Sequence, residues 1–427
     1  MKSLLTICIA CSIAIIACNK NKDTADKTEN TSANMVLQWN NAGMEAMRRT
    51  GSLPPMLESR ITATLNVTIH DVLNNIIPKY ETYALNNAVV SGANADAAVA
   101  QAAHDVLLYL LPPQKTFADS LLDVSLNSIA AGTDKDQGIA LGKSAATVMI
   151  TMRTNDGSTT AQYPYTQGTL PGQYRSTPPF DAGPNAGFVL LPGWGKVKLF
   201  GLASAAQFRV GAPYLTSSAA YAADYNEIKK MGCTSCPDRS ADQTQIGMFW
   251  LENVPASLNR IAAAFIKQNN LSAWKAARLL ALLHMAEADA NISCFDAKFF
   301  YNFWRPVTAV RAGDTDSNTV TIGDPAWNLL AAPTPPVPDY PSNHATDGGA
   351  GMTIIKNFFG KDDISFSTTS ASLPGITRSF TSLTQATREI SLSRIYVGYH
   401  FRMAVDSGEA MGRKIGQYIF DHSLREK

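Results

Sequence analysis

The 427-residue sequence has almost no excess of charge, 36 Lys and Arg against 35 Asp and Glu, and no basic stretch with interleaved aromatics. Such a balance builds no field for a polyanion, so nucleic acid is not an expected partner. Cysteine is scarce: of six, Cys8, Cys11 and Cys18 crowd into the first 18 positions, leaving Cys233, Cys236 and Cys294 for the rest. Three cysteines cannot make a disulfide scaffold. No β-alternation is sustained enough for a sheet, and no repeat recurs at a fixed period. Carboxylates do not cluster as a magnesium site. Asp314-Thr-Asp316-Ser-Asn318 starts like a calcium loop, but Thr319 stands where Gly is needed and Pro325 where the closing Glu belongs.

What is present is a globular chain, 45% apolar and 17% charged, able to bury a large core. Lys2 precedes an apolar run from Leu4 to Ala17, too short to span a membrane comfortably. Ile15-Ile16-Ala17-Cys18 resembles the bacterial lipoprotein cleavage box, which implies a signal peptide over 1–17 and lipidation of Cys18. The polar stretch 18–34 then reads as a flexible tether. The expected location is the bacterial cell envelope, periplasmic or on the outer-membrane surface, with the membrane touched only through the lipid. In that oxidising compartment Cys233 and Cys236, a CTSC in a loop-like stretch, are expected as a local disulfide, while Cys294 reads as a small buried residue.

Helical periodicity marks 35–49, 60–85, 93–111, 115–131, 136–153, 245–269, 272–290 and 382–423. The Gly/Pro/Tyr-rich span 157–192 is long for a connection and reads as an ordered surface meander. The mature chain divides into helical halves at 35–225 and 226–427. Leu271 to Ala290 is apolar almost all round, which places it at the centre of a helical protein.

Three clusters carry the chemistry. Lys298 and Arg305 stand seven apart, two helical turns, so a continuous helix would present both on one face, with Pro306 ending or kinking it. Taken alone they read as snorkelling side chains. After a proline run (Pro333, Pro335, Pro336, Pro338) come Pro341, Ser342, Asn343 and His344, with Ser342 a good helix cap and the amides behind it suited to an anion. Ser393-Arg394 is followed by Gly398 and His400, where a glycine bend lets Arg394 and His400 converge. His70, His104, His284 and His422 lack comparable companions. Together the clusters supply three cations, a hydroxyl, helix-start amides and two histidines, the set that holds a tetrahedral oxyanion.

The three clusters, in this order, resemble the signature of the vanadium-dependent haloperoxidases, a family sharing a superfamily with type 2 phosphatidic acid phosphatases and bacterial acid phosphatases. WNNAGMEAMRRTGSLPP, DRSADQTQIGMFW, ADANISCFDAKFFYNFWRPVTAVR and DPAWNLL extend the resemblance over nearly the whole mature chain. It implies an all-α fold of two four-helix bundles with the site in the C-terminal one. It also implies a vanadate cofactor bonded by His400, its oxygens held by Lys298, Arg305, Arg394, Ser342 and the Asn343 amide, with His344 as the acid–base group. Lys298 then polarises bound peroxide, and halide, or a small organic substrate, is oxidised, halide giving hypohalous acid. A homodimer is consistent with relatives. The alternative is a phosphomonoesterase in which phosphate takes the vanadate position and His400 is the nucleophile. Two positions depart from the family: Asn343 stands for the usual Gly, where a positive φ would suit Asn best among side-chain residues. Ala404 stands where many members have an acid, with Asp406 the nearest carboxylate.

Overall fold

The structure, a computed structural model, describes residues 28–86 and 89–427; Cys18 and the segment read as a signal peptide lie outside them. The first group of helices is α1 (Asn34–Thr50), α2 (Pro55–Asn74), α3 (Ala95–Leu110), α4 (Lys115–Asn127) and α5 (Thr133–Arg153). An irregular span leads to α6 (Ala219–Met231), α7 (Ala241–Phe249), α8 (Val254–Gln268), α9 (Ala273–Tyr301) and the short α10 (Pro306–Arg311). The chain ends with α11 (Asn343–Phe359), a hairpin of β1 (Phe366–Thr369) and β2 (Thr377–Phe380), α12 (Leu383–Tyr396) and α13 (Arg402–His422). One bundle is α1, α2, α3 and α5; the other is α9, α11, α12 and α13, joined by packing of α2 on α9.

Helix α9 is buried from Ala273 to Ala277 except at Lys275, and almost continuously from Leu279 to Lys298. Its four charged or amide residues between His284 and Asn291 are each paired: His284 to Glu287 and Asn259, Asp289 to three backbone N–H groups at Phe200, Gly201 and Leu202. Buried polar groups survive in an apolar helix only with such partners. One apolar core runs through both bundles. The halves expected at 35–225 and 226–427 accordingly meet inside α6, and the core does not divide there.

Helix ends differ from the periodic reading where tertiary bonds intervene. The helix expected over 60–85 stops at Asn74, because Asp71 collects the N–H groups of Tyr83, Ala84 and Leu85 and folds the chain back. The helix expected over 245–269 is two, with Pro255 in the first turn of the second. That expected over 382–423 breaks at residues 397–401, where Gly398 has φ +84°. The hairpin was not visible as alternation, being only four residues a strand. From Thr28 onward the stretch read as tether is docked: Glu29 pairs with Lys79 and Lys275, and the Thr31 carbonyl accepts the Ala273 N–H at 2.8 Å. Cys233 and Cys236 form a disulfide, and Cys294 is free and buried, both as expected.

Candidate active site

Lys298 lies in the last turn of α9, fully buried. The helix does not continue to Arg305. It ends at Tyr301, and Asn302 turns the chain in a left-handed conformation, φ 51°. The irregular span holds that break open: Tyr174 N–H donates to the Asn302 carbonyl, Tyr165 to its side chain, and Trp304 N–H to the Gly172 carbonyl. Arg305 then caps α10, with Pro306 as its first residue. Lys298 and Arg305 therefore converge across a break, not along one helical face, and Pro306 begins a helix instead of ending one.

The proline run holds these cations with its backbone. The Val337 carbonyl accepts Arg305 Nε at 2.7 Å, and the Pro338 and Asp339 carbonyls accept Lys298 Nζ at 2.8 and 2.9 Å. An ammonium has three donors, so one remains for a ligand. At the end of the run Ser342 is the N-cap of α11, but its hydroxyl makes no capping bond and, fully buried, has no partner. Its N–H is held by the Ala404 carbonyl at 2.8 Å. Close packing of α13 seats this end of α11: a Cβ on Gly408 would lie 2.5 Å from the Ser342 carbonyl oxygen.

Arg394, in the last turn of α12, donates to the Trp250 carbonyl at 3.1 Å, lies 4.6 Å over the Tyr399 ring and leaves Nε without a partner. Gly398 turns the chain so that Tyr399 and His400 fold back on the Arg394 carbonyl. The predicted bend is there. His400 is buried, with Arg305 Nη1 3.1 Å from Nε2 and an Asp339 carboxylate oxygen 2.9 Å from Nδ1. His344 is part-exposed and donates Nε2–H to the Trp250 carbonyl at 2.7 Å, which leaves Nδ1 as its basic nitrogen.

The electrostatics follow. Burial pushes Lys298 down to about 7, and burial lowers Arg305 and, to about 10, Arg394. Burial and the three cations hold His400 well below its ordinary value; burial and Arg394 do the same for His344. Burial drives Asp339 up to about 7 against the pull of Arg305 and Lys298. Three buried cations thus gather on His400, with the Asp339 carboxylate acting on two of them, Arg305 and Lys298. Such an imbalance is expensive in a low-dielectric site and is relieved by a multiply charged anion. Among the described residues no three His, Cys, Asp or Glu side chains gather as ligands for a metal cation. The unpartnered Ser342 hydroxyl, the free Asn343 amide at the helix start and the cations fit a tetrahedral oxyanion, vanadate or phosphate alike.

All seven residues singled out from the sequence meet here. Asn343 has ordinary helical backbone, not positive φ, and its side chain is tied through its nitrogen while its buried Oδ1 has no partner. Its Nδ2 donates to Asn291 at 2.8 Å, and Asn291 donates to Asp347 and Ser59. Asn291 and Asp339 were not singled out. The acid missing at Ala404 was the available signal for the second, since Asp339 heads the same stretch as Ser342 and His344.

Residues 278–426 match the family described as the VCPO second helical-bundle domain. The vanadium chloroperoxidase of Curvularia inaequalis is 28% identical over 418 residues, covering 78% of this chain and 67% of that protein. The crystal structure of the first bacterial vanadium-dependent iodoperoxidase superposes with a TM-score of 0.79 at 25% identity, covering 93% of this chain and 98% of that one. A holo-type bacterial vanadium-dependent chloroperoxidase gives 0.69 at 18% identity, covering 87% and 92%. By fold, this is an all-helical, two-bundle protein of the vanadium-haloperoxidase type. The chain is similar to the vanadium-dependent haloperoxidases, and its second bundle matches the domain family described above.

Proposed function

We propose that this chain is a vanadium-dependent haloperoxidase, oxidising halide with hydrogen peroxide to hypohalous acid at a vanadate held by His400. The observation that carries the reading is the set of three buried cations that bear on His400, with an unpartnered, buried Ser342 hydroxyl just beyond the proline run that holds two of them. Vanadate, when bound, supplies a Lewis acid that activates peroxide without changing its oxidation state. The protein's part is to hold and polarise. Arg305, Arg394 and Lys298 neutralise the oxygens, and Ser342 Oγ–H and the Asn343 N–H donate to them. His400 offers Nε2. Lys298, with one N–H uncommitted, draws electron density from the oxygen that halide attacks. Forming hypohalous acid from halide and peroxide consumes one proton and releases water, and His344, part-exposed and with Nδ1 unprotonated, stands to pass that proton.

The phosphatase reading uses the same donors, because phosphate shares vanadate's shape and charge. One paired assay separates them. With the protein loaded with orthovanadate, peroxide-dependent halogenation of a dye is expected with at least one of iodide, bromide or chloride, while the metal-free protein turns over p-nitrophenyl phosphate weakly. Brisk phosphate hydrolysis with no halogenation at any pH overturns the proposal. The chain's location is proposed to be the cell envelope, anchored through lipidated Cys18; the Cys233–Cys236 disulfide supports an oxidising compartment. Labelled palmitate should be incorporated into the wild-type chain and not into Cys18→Ala, and equal labelling refutes the anchor.

A further inference from the structure

We propose that Asp339 is the positioning residue for His400: its carboxylate accepts the Nδ1–H and thereby presents the Nε2 lone pair to the bound oxyanion. The inference rests on the reading of His400 as the residue that bonds the central atom.

Two contacts favour the same tautomer. Arg305 Nη1 lies 3.1 Å from Nε2 and 3.5 Å from Nδ1, and a guanidinium can only donate, so the nearer nitrogen, Nε2, is the better placed to accept. A neutral imidazole with its lone pair on Nε2 carries its hydrogen on Nδ1. There Asp339 Oδ1 waits at 2.9 Å. Neither carboxylate oxygen has a fully formed hydrogen bond, so an Nδ1–H at this distance is placed to supply one. A fully buried carboxylate needs such a partner. Arg305 Nη1, at 3.8 Å, is too far to satisfy it, and the Phe401 backbone N–H also favours its charged form.

The backbone explains how a residue 61 positions before His400 comes to serve it. Asp339 N–H donates to the Phe303 carbonyl at 2.8 Å, and its own carbonyl accepts Lys298 Nζ. Its neighbours Val337 and Pro338 hold Arg305 and Lys298 in the same way. The carboxylate is thus fastened to the break between α9 and α10, and His400 to the turn at Gly398. Helix α13 offers nothing in its place. Ala404 bonds the Ser342 N–H through its carbonyl, and Asp406 is at the surface, 2.6 Å from Arg388. The sequence therefore moves the orienting acid from the helix after His400 to the proline run before Ser342.

The test is a nitrogen NMR spectrum of the metal-free protein with labelled histidine, His400 being assigned by difference against His400→Gln. Wild type should show His400 as the Nδ1–H tautomer. Asp339→Ala should shift it toward Nε2–H and weaken binding of orthovanadate, measured by equilibrium dialysis, by about 10- to 100-fold. Asp339→Asn, whose side-chain oxygen still accepts Nδ1–H, should restore both most of the way. An Nε2–H tautomer in wild type overturns the proposal without any variant, which covers the case of an Ala variant that does not fold. So does a folded Asp339→Ala protein with unchanged tautomer and affinity. Inorganic phosphate in place of vanadate should give the same ranking of variants, so a failure of the peroxidase reading would leave this result standing.

Discussion

Asn343 carries two polar groups that do different work. Its backbone N–H is the first of α11 and has no partner within the helix, while its side chain ties the start of α11 to Asn291 on α9. The departure from the family's glycine therefore reads as a brace between two helices. Asn343→Gly should leave oxyanion affinity near wild type, since the backbone donor stays. It should reduce stability by about 1–3 kcal/mol, because the buried Asn291 oxygen loses its donor. Urea unfolding together with vanadate dialysis checks this. Loss of affinity at unchanged stability would show that the side chain acts on the oxyanion instead. The residue types were legible in the sequence: cations, a hydroxyl and histidines in fixed spacing state a chemistry without any coordinates. Asp339 and Asn291 were not, because their roles exist only through contacts 61 and 52 residues away.

At the scale of elements, the site is made by interruptions. Lys298 and Arg305 meet because α9 ends at Asn302, and Arg394 meets His400 because Gly398 turns the chain. The glycine bend could be anticipated, since glycine tolerates positive φ. The break at Asn302 could not, since it depends on Tyr165, Gly172 and Tyr174 bonding to the chain there, and a spacing of seven looked like continuous helix. A second device went unseen. Gly408, Gly412 and Gly416 line the side of α13 that meets α11, so that each could take a Cβ only by colliding with a carbonyl oxygen of α11 or of its Ser342 cap. In Gly412→Ala the new methyl strikes the Thr346 carbonyl oxygen and forces the helices apart. The expected loss is about 1–3 kcal/mol in urea unfolding. Weaker vanadate binding should accompany it, because Ser342 and Asn343 start the displaced helix. Unchanged binding in a folded variant would mean that the α11–α13 contact does not set the site.

Across the whole molecule, the helical class and the central place of α9 were readable from periodicity and an apolar run. The two bundles share one core, and helix α2 supplies Ser59 and Glu58 to groups near the second bundle. Glu58 lines a cleft of about 870 Å³ between α1 and α8, with one carboxylate oxygen buried and unpartnered. Burial pushes its carboxyl up to about 7, a bond from Asn253 opposing and Glu252 adding. The folded state thus holds a proton that the unfolded chain releases near pH ~4.3, so this group makes stability fall as pH rises from about 4 to about 7 and leaves it lowered above. Glu58→Gln should stabilise the protein at pH 8 and change little at pH 4 in urea unfolding. An equal effect at both values would contradict the assignment.

The central claim is that His400 bonds the central atom of an oxyanion gripped by Lys298, Arg305 and Arg394. A vanadium X-ray absorption spectrum of the vanadate-loaded protein addresses it directly. The account predicts a nitrogen donor on vanadium in wild type that is absent from His400→Ala. Vanadate bound through oxygen alone in wild type, or a nitrogen donor that persists in the variant, contradicts it.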